Sequence, residues 1–308
     1  MSKTPAQLVT SLTKKPYWWA YAIGIVLIIT SGILWWTKVY LSPSQVFWGM
    51  LDSSLSTRSA TIQTKQSNQQ GVAEQYVQFE LGGVDRAHSL ATVKQGATTI
   101  ETEIVGTPDV TYSQYRYIKT DQKNAAGKPL NTSKIEGVWA KRDSKDTTAA
   151  GSPLFAQAVL GVGLPLGAVP VPIGDVTPEQ RAALLKQMRD HSVYDVSFKD
   201  VIKKRADGRL QYTYTTKIQA ILYIRLMKNF AKDLGLSQLD DVDPNQFSGS
   251  QPINVQLTVD ALSRHLVEVS VQGGGYSQRY SGYGVPVRAE LPAKSISSAE
   301  LQKRLQEL

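Results

Sequence analysis

Residues that could bind a metal are few in this sequence and far apart. Three histidines are spread along the chain, at His88, His191 and His265. None has a partner at metal-ligand spacing such as HExxH, so we expect each to be an ordinary surface or core histidine. The tightest acidic cluster, Asp240, Asp241 and Asp243, lacks the glycine and the distal glutamate of an EF-hand loop. We therefore expect a solvated loop there, and no metal site.

Sequence patterns of catalysis and cofactor binding are also missing. The chain has no cysteine, which excludes disulfides, thiolate metal sites and cysteine nucleophiles. It has no Gly-x-Ser-x-Gly elbow of a serine hydrolase. Gly161-Val162-Gly163 resembles the start of a dinucleotide loop, but Pro165 follows at once and no strand leads into it. We expect a turn there, and neither an enzyme nor a cofactor-binding protein.

The distribution of charge argues against nucleic-acid binding. The formal net charge is +8, but the first 38 residues contain four lysines and no acidic residue. The rest of the chain therefore carries 30 basic and 26 acidic residues. These basic residues are scattered along the sequence, whereas a nucleic-acid surface needs a clustered basic stripe with aromatic residues between them.

The N-terminal part of the chain predicts a transmembrane helix over residues 17–37. It contains YWWAYAIGIVLIITSGILWW, an uncharged stretch of about 20 residues, the length that crosses the hydrocarbon of a bilayer. Aromatic residues cluster at both ends, where the lipid headgroups would lie. Lys14 and Lys15 precede the stretch and Lys38 follows it, which favours a cytoplasmic tail at 1–16 and an extracytoplasmic domain. A cleavable signal peptide is the alternative, but WWTKVYLSPS offers no small-residue cleavage pattern.

The rest of the chain predicts one α+β domain over residues 38–295 and a polar helical tail at 296–308. Ser42-Pro43-Ser44 is typical of a helix start, and further helices are predicted at 178–190 and 218–235. The segments that predict strands are SATIQTKQ, EQYVQFEL, RAHSLATVKQ, TTIETEIV, VTYSQYRYIKT, KIEGVWAKRD, VYDVSFKDVIKKR, RLQYTYTTKI, INVQLTVD, HLVEVSVQ and the run from Ser277 to Leu291. These strands should form one antiparallel sheet, because the helices supply the layer that buries its face.

The last hundred residues show an order of features that resembles a known superfamily. Tyr212-Thr213-Tyr214 leads into the helix at Ile218, INVQLTVDALSRHLVEVSVQ follows, and YSGYGVPVRAELP closes the block. This order resembles that of the outer-surface lipoprotein carriers of the LolA and LppX type. The resemblance implies a strongly curved antiparallel half-barrel with helices across its concave face and an apolar cavity between them. The chain lacks the lipobox cysteine of the common bacterial pattern, and a transmembrane helix stands in its place as the anchor.

Two functions fit these observations. The first is a membrane-anchored extracytoplasmic protein that binds a lipid or another apolar ligand. The second is a structural or interaction protein of the envelope whose half-barrel is filled by its own side chains. In the first case the cavity would be lined by a short helix from Pro153 and by the helix at 218–235. The candidate residues are Leu154, Phe155, Val159, Ile221, Ile224, Met227 and Phe230.

Tyrosines on a predicted strand are further candidates for the cavity wall. Strict alternation in VTYSQYRYI places Tyr115 and Tyr117 on one face of the sheet and Tyr112 on the other. Sheet core is the simpler interpretation of these residues, and cavity lining is the alternative. The expected partners are thus the lipid bilayer and an apolar ligand, without nucleic acid, and the sequence indicates no oligomeric state.

Overall fold

The α+β class predicted from the sequence is confirmed in the computed structural model. The structure describes residues 18–69, 71–83, 85–124, 127–143, 171–273 and 275–308. Across these residues it contains an N-terminal apolar helix, a large open sheet of mostly antiparallel strands, and further helices. The predicted short helix from Pro153 lies outside the described residues.

The α-helices in the described part of the chain are α1 Trp18–Trp35, α2 Pro43–Ser54, α3 Pro178–Asp190, α4 Ala220–Asp233 and α5 Ser298–Gln306. The strands are β1 Ser59–Asn68, β2 Gly71–Glu80, β3 Arg86–Gln95, β4 Thr98–Gly106, β5 Val110–Lys119, β6 Ala140–Asp143, β7 Tyr194–Val196, β8 Ile202–Ala206, β9 Arg209–Ile218, β10 Ile253–Asp260, β11 Leu266–Val271, β12 Tyr276–Ser281 and β13 Ile296–Ser297. A π-helical turn, Trp36–Tyr40, continues α1.

All 13 strands belong to one sheet. Its order is β13-β6-β5-β4-β3-β2-β1-β12-β11-β10-β9-β7, and β8 also pairs with β9. Neighbouring strands run antiparallel except β13, which pairs with β6 in parallel. The N-terminal meander β1–β5 is thus joined to the C-terminal strands through the pairing of β1 with β12, so the predicted single sheet is confirmed.

The helix α1 is long and apolar enough to cross a membrane. Within the described residues the candidate span is Ile23–Tyr40, with a mean hydropathy of 1.6 and no buried residue. A signal sequence near an N-terminus shares this length and composition. The large apolar side chains from Ile23 to Trp35 are exposed.

The main core lies between one face of the sheet and the helices α2, α3 and α4. Helix α2 begins as predicted, because the Ser42 side chain accepts a hydrogen bond from the Gln45 amide and Pro43 takes the first helical position. Four of its apolar residues recur every three or four positions and are fully buried: Val46, Phe47, Met50 and Leu51. Burying each such side chain contributes about 1.5 to 3 kcal/mol, so α2 belongs to the domain core.

The other two core helices are held in the same way. Thr177 and Gln180 form a capping box at the start of α3, where each side chain accepts a hydrogen bond from the other residue's amide. Leu184 and Met188 then reach the core from α3. Helix α4 contributes Tyr223, Leu226, Met227, Phe230 and Ala231, all of which are buried.

Three strand predictions were wrong in extent. The segment VYDVSFKDVIKKR forms two strands, β7 and β8, because a turn at 197–201 separates them and each pairs with a different part of β9. In KIEGVWAKRD only β6 is a strand. The run from Ser277 to Leu291 stops at Ser281, since Gly282 and Gly284 adopt positive φ and no strand ladder continues beyond them.

Residues 282–295 instead cross the face of the sheet opposite to the main core. The Val287 amide donates to Glu80 Oε2 at 2.8 Å, and Arg86 donates to the Ala289 carbonyl at 2.9 Å. Val287 and Ala289 pack with Val105 of β4. This crossing carries the chain from β12 to the far edge of the sheet, where β13 and α5 are placed.

Candidate functional site

The residues predicted from the sequence to line a cavity are placed differently from one another. Met227 and Phe230 are 1% and 0% exposed and belong to the main core. A Cβ atom at Gly174 would lie 2.8 Å from Phe230 Cζ, so the ring is in close contact with the backbone there. Ile221 and Ile224 are half-buried on the same helix. The other candidates, Leu154, Phe155 and Val159, lie outside the described residues.

A cavity of about 600 Å³ lies elsewhere, at the far end of the meander. Its walls come from the β3–β4 turn, the end of β5, the loop before β6, and α5. The apolar side chains that line it are Ala97, Ile100, Tyr115, Ile118, Leu130, Ile135, Leu305 and Leu308. We call this the distal cavity. Among the sequence-predicted candidates within the described residues, Tyr115 lines it, whereas Ile221, Ile224, Met227 and Phe230 do not.

A β-bulge in β5 creates the apolar wall of the distal cavity. Ile118 pairs with Ile100, and Tyr117 pairs with Glu101, but Tyr115 pairs with Thr102, so one extra residue is inserted in β5. Consecutive residues point to opposite faces, which places Tyr115 and Ile118 on one face and Tyr117 on the other. The prediction that Tyr115 and Tyr117 share a face was therefore wrong, because strict alternation assumed an uninterrupted ladder.

The helix α5 forms the opposite wall. Ser297 caps it by accepting a hydrogen bond from the Glu300 amide at 3.1 Å. Leu301 packs with Ile135 and Ala140 in a small buried cluster, and this contact fixes the helix on the sheet edge. Leu305 follows on the same helical face, and both it and Leu308, just beyond the helix, reach the cavity. Their spacing is a sequence signal that was available in the polar tail LQKRLQEL.

Polar groups surround the cavity at its rim. Thr98 and Thr120 hydroxyls lie 3.1 Å apart, and Thr132 donates to Glu136 Oε1 at 2.6 Å. Glu136 also accepts the Ile118 amide at 3.2 Å. These groups bond to one another, and the lining holds no histidine, cysteine or lysine. The arrangement is suited to binding an apolar group.

A second cavity, of about 560 Å³, is more polar and lies at the other end of the strands. Its lining includes Asp260, His265 and Tyr283. Asp260 Oδ1 accepts the amides of Leu262 and Ser263 at 2.9 Å each, which closes the β10–β11 turn. The His265 ring stacks on Tyr283 with centroids 4.0 Å apart, and burial lowers the pKa of His265. These contacts stabilise turns.

His88, Glu103 and Asp243 also have structural partners. His88 Nε2 lies 2.9 Å from Glu103 Oε1, and Gln114 donates to Glu103 Oε2 at 2.8 Å. Burial raises the pKa of Glu103, but these hydrogen bonds outweigh it and the net pKa is lowered. Asp243 accepts the Asn245 amide at the start of a short 3-10 helix. In the described part of the chain, no group of three acidic or histidine residues is placed to hold a metal.

No family model matches the chain, and no curated protein matches it significantly. The resemblance to the LolA and LppX carriers stays a prediction.

Proposed function

We propose that this chain is a membrane-anchored extracytoplasmic protein that binds a lipid or another apolar ligand in the distal cavity. The observation that carries the proposal is an open cavity of about 600 Å³ whose lining is largely apolar. Small-molecule sites are concave and largely apolar, with volumes of about 300 to 1,000 Å³, so this cavity falls within their range.

The chemistry of the walls favours a hydrocarbon group as the ligand. Ile100, Ile118 and Leu305 offer aliphatic carbon on facing walls. Each methylene group of a ligand that moves from water to such a surface contributes about 0.8 kcal/mol. Asp121 and Gln122 are exposed at the rim, where a polar end of the ligand would remain in water.

The anchor in this proposal is α1, with residues 1–16 in the cytoplasm. Its support is the exposed apolar surface of the span and the excess of lysine before it. Protease added to intact cells should then digest the domain and leave a protected stub. A domain that resisted digestion until the membrane was opened would contradict the orientation.

The proposed architecture for binding is a curved sheet of the LolA and LppX type. The order of strand, helix and closing strands from β9 to β12 supports it. In this chain the helices α2 to α4 cover the part of the sheet nearest the anchor, and the ligand would occupy the part beyond them.

The second candidate function is that of an envelope scaffold or interaction protein without a ligand. It is favoured by one observation, the close packing of Met227 and Phe230 where the resemblance implies a cavity. In that case the distal cavity would hold water only.

Native mass spectrometry of the full chain released from gentle micelles separates the two functions. Bound acyl lipid is expected on the wild-type protein and should be lost in Ile118→Gln, because the amide replaces aliphatic surface in the cavity wall. Tyr117→Gln is the matched control, since this exposed side chain lies one residue away on the opposite face. If lipid bound only to α1, the amount of bound lipid would be equal in all three proteins. That result would support the scaffold function.

A further inference from the structure

The junction between α1 and the domain is fixed by direct contacts. Tyr214 donates to the Pro43 carbonyl at 2.9 Å, and Tyr212 donates to the Leu41 carbonyl at 2.8 Å. Arg264 donates to the Tyr40 carbonyl, and its guanidinium lies 4.5 Å from the Tyr40 ring centroid. Three side chains of the domain thus hold the last residue of the candidate span and the residues that follow it.

These contacts give the direction of the strands relative to the anchor. Tyr214 bonds to Pro43, and Tyr212, two residues earlier on β9, bonds to Leu41, which is nearer to the span. The start of β9 therefore points toward the end of the span. The β8–β9 turn lies at this end. The β10–β11 turn lies beside it, because the Ala261 amide donates to the Leu210 carbonyl at 2.8 Å. Both turns therefore face the surface from which α1 emerges.

This end of the domain is strongly basic. The basic residues of the two turns, of β8 and of the junction are Lys38, Lys203, Lys204, Arg205, Arg209 and Arg264. We call them the basic surface. All except Arg264 are exposed, and none forms an ion pair with any residue that the structure describes. The acids among the same segments are Asp207 and Asp260, and Asp260 is buried with its carboxylate bonded to two amides.

Two further features connect the basic surface with the bilayer. Lys203 Nζ lies 4.8 Å from the ring centroid of Tyr212, the residue that bonds to Leu41. Leu262, at the tip of the β10–β11 turn, is 51% exposed. An apolar side chain at the tip of a basic turn is suited to the interface between headgroups and acyl chains, where Lys and Arg remain at the phosphate level.

We infer that the basic surface binds anionic phospholipid headgroups and holds the domain in one orientation on the bilayer. The inference rests on the proposed anchoring of the chain by α1. A basic residue near an anionic membrane surface gains free energy from it, and several such residues on a tethered domain act together, because the anchor already brings them to the surface.

The test is hydrogen exchange of the full chain in nanodiscs of neutral phosphatidylcholine, and in discs with about one third phosphatidylglycerol. The amides of β8 are the readout, since no described strand pairs with the outer edge of β8. We expect the anionic discs to slow their exchange by about fivefold or more, and we expect high salt to abolish the difference.

Variants assign the effect to the basic surface. The triple change Lys203→Glu, Lys204→Glu and Arg205→Glu should remove the slowing, and Lys204→Glu alone should reduce it. Unchanged exchange in β10 will show that the sheet remains folded. The charge-matched control is Lys94→Glu, Lys119→Glu and Lys123→Glu, at exposed positions at the other end of the meander strands, which should retain the slowing.

Equal exchange of β8 in the two kinds of disc would overturn the inference and leave the anchoring intact. A basic surface that serves an acidic protein partner would give that result. Slowing that persists in the triple variant would also overturn it. A chain that fails to enter the discs at all would refute the anchoring itself, and the inference with it.

Discussion

The half of the domain near the anchor and the half at the tips of the meander differ in how the face of the sheet is covered. Near the anchor, three helices cover β9–β12 and the start of β1, and large side chains such as Phe47, Tyr214 and Phe230 are fully buried. At the far end, the short helix α5 packs against β5 and β6, and a cavity of about 600 Å³ stays open beside it. The difference follows from the amount of apolar side chain that each half supplies.

The strands themselves show this difference. On β10, Val255, Leu257 and Val259 present a continuous apolar face to the helices. On β2 and β3 the corresponding face carries Val77 and Phe79 in the main core, and beyond them Gln75 and Ser89, which bond to each other at 2.9 Å. A face of small and polar side chains cannot hold a packed helical layer by the hydrophobic effect, so space is left where apolar residues reappear near the turns.

The largest expected effect is on the free energy of unfolding, which should fall much more when a side chain is truncated in the near half than in the far half. Phe230→Ala should lower the free energy of unfolding by about 3 to 5 kcal/mol, because it leaves a void in a closed core. Ile118→Ala should cost about 1 kcal/mol, since one side of Ile118 already borders the distal cavity. Urea unfolding of both variants in the same detergent, followed by circular dichroism, measures the difference. Equal losses would contradict the contrast between the halves.

A smaller effect tests how closely the near half is packed. Gly174→Ala would place a Cβ atom 2.8 Å from Phe230 Cζ, and the overpacking should cost about 1 to 3 kcal/mol. Gly83→Ala is the control, because no atom lies within 4 Å of its added Cβ. Thermal unfolding should show a loss at the first position and almost none at the second. If Gly174→Ala left the unfolding temperature unchanged, the core around Phe230 would have shifted to accommodate the added Cβ atom, and it would not be closely packed.

The junction with the anchor gives the next effect. Tyr214→Phe removes the hydrogen bond to the Pro43 carbonyl and should cost about 1 kcal/mol. Tyr117→Phe, at an exposed tyrosine of the far half, should leave the unfolding free energy unchanged within about 0.5 kcal/mol. The comparison uses chemical unfolding, and similar effects at both positions would contradict a rigid junction.

The smallest effect depends on pH. The folded-state pKa of Glu103 is lowered, so the stabilisation by its carboxylate is present above the unfolded pKa of about 4.3 and is lost as pH falls through the folded pKa. Glu103→Gln should therefore cost about 1 kcal/mol or less at pH 7, and the difference from wild type should shrink in acid. Unfolding curves from pH 7 to about 3 test this. A constant difference across that range would refute the role of the charge.

Local features of the fold could be predicted well from the sequence. Ser42 and Thr177 mark the starts of α2 and α3 because a cap depends on residues only three positions apart. The Asp207-Gly208 turn between β8 and β9 is equally local. The strands were found for the same reason, since alternation is a property of a short segment.

The distal cavity could not be predicted in the same way. It depends on the bulge at Tyr115, which exists only in the pairing of β5 with β4, and on the crossing of residues 282–295 that brings Leu305 to the far edge. Both are contacts between distant parts of the chain. The helix α4 was a reasonable candidate for a cavity wall because it is amphipathic, but a packed core and a cavity require the same apolar face.

Photolabelling with a diazirine-bearing fatty acid is the most direct test of binding in the distal cavity. The full chain in nanodiscs would be irradiated with the probe and the labelled peptides identified by mass spectrometry. The account predicts labels on the peptides that contain Ile100, Ile118 and Leu305, in addition to any on α1, and their loss in Ile118→Gln. Labels on the peptide that contains Met227 and Phe230, or on α1 alone, would contradict it.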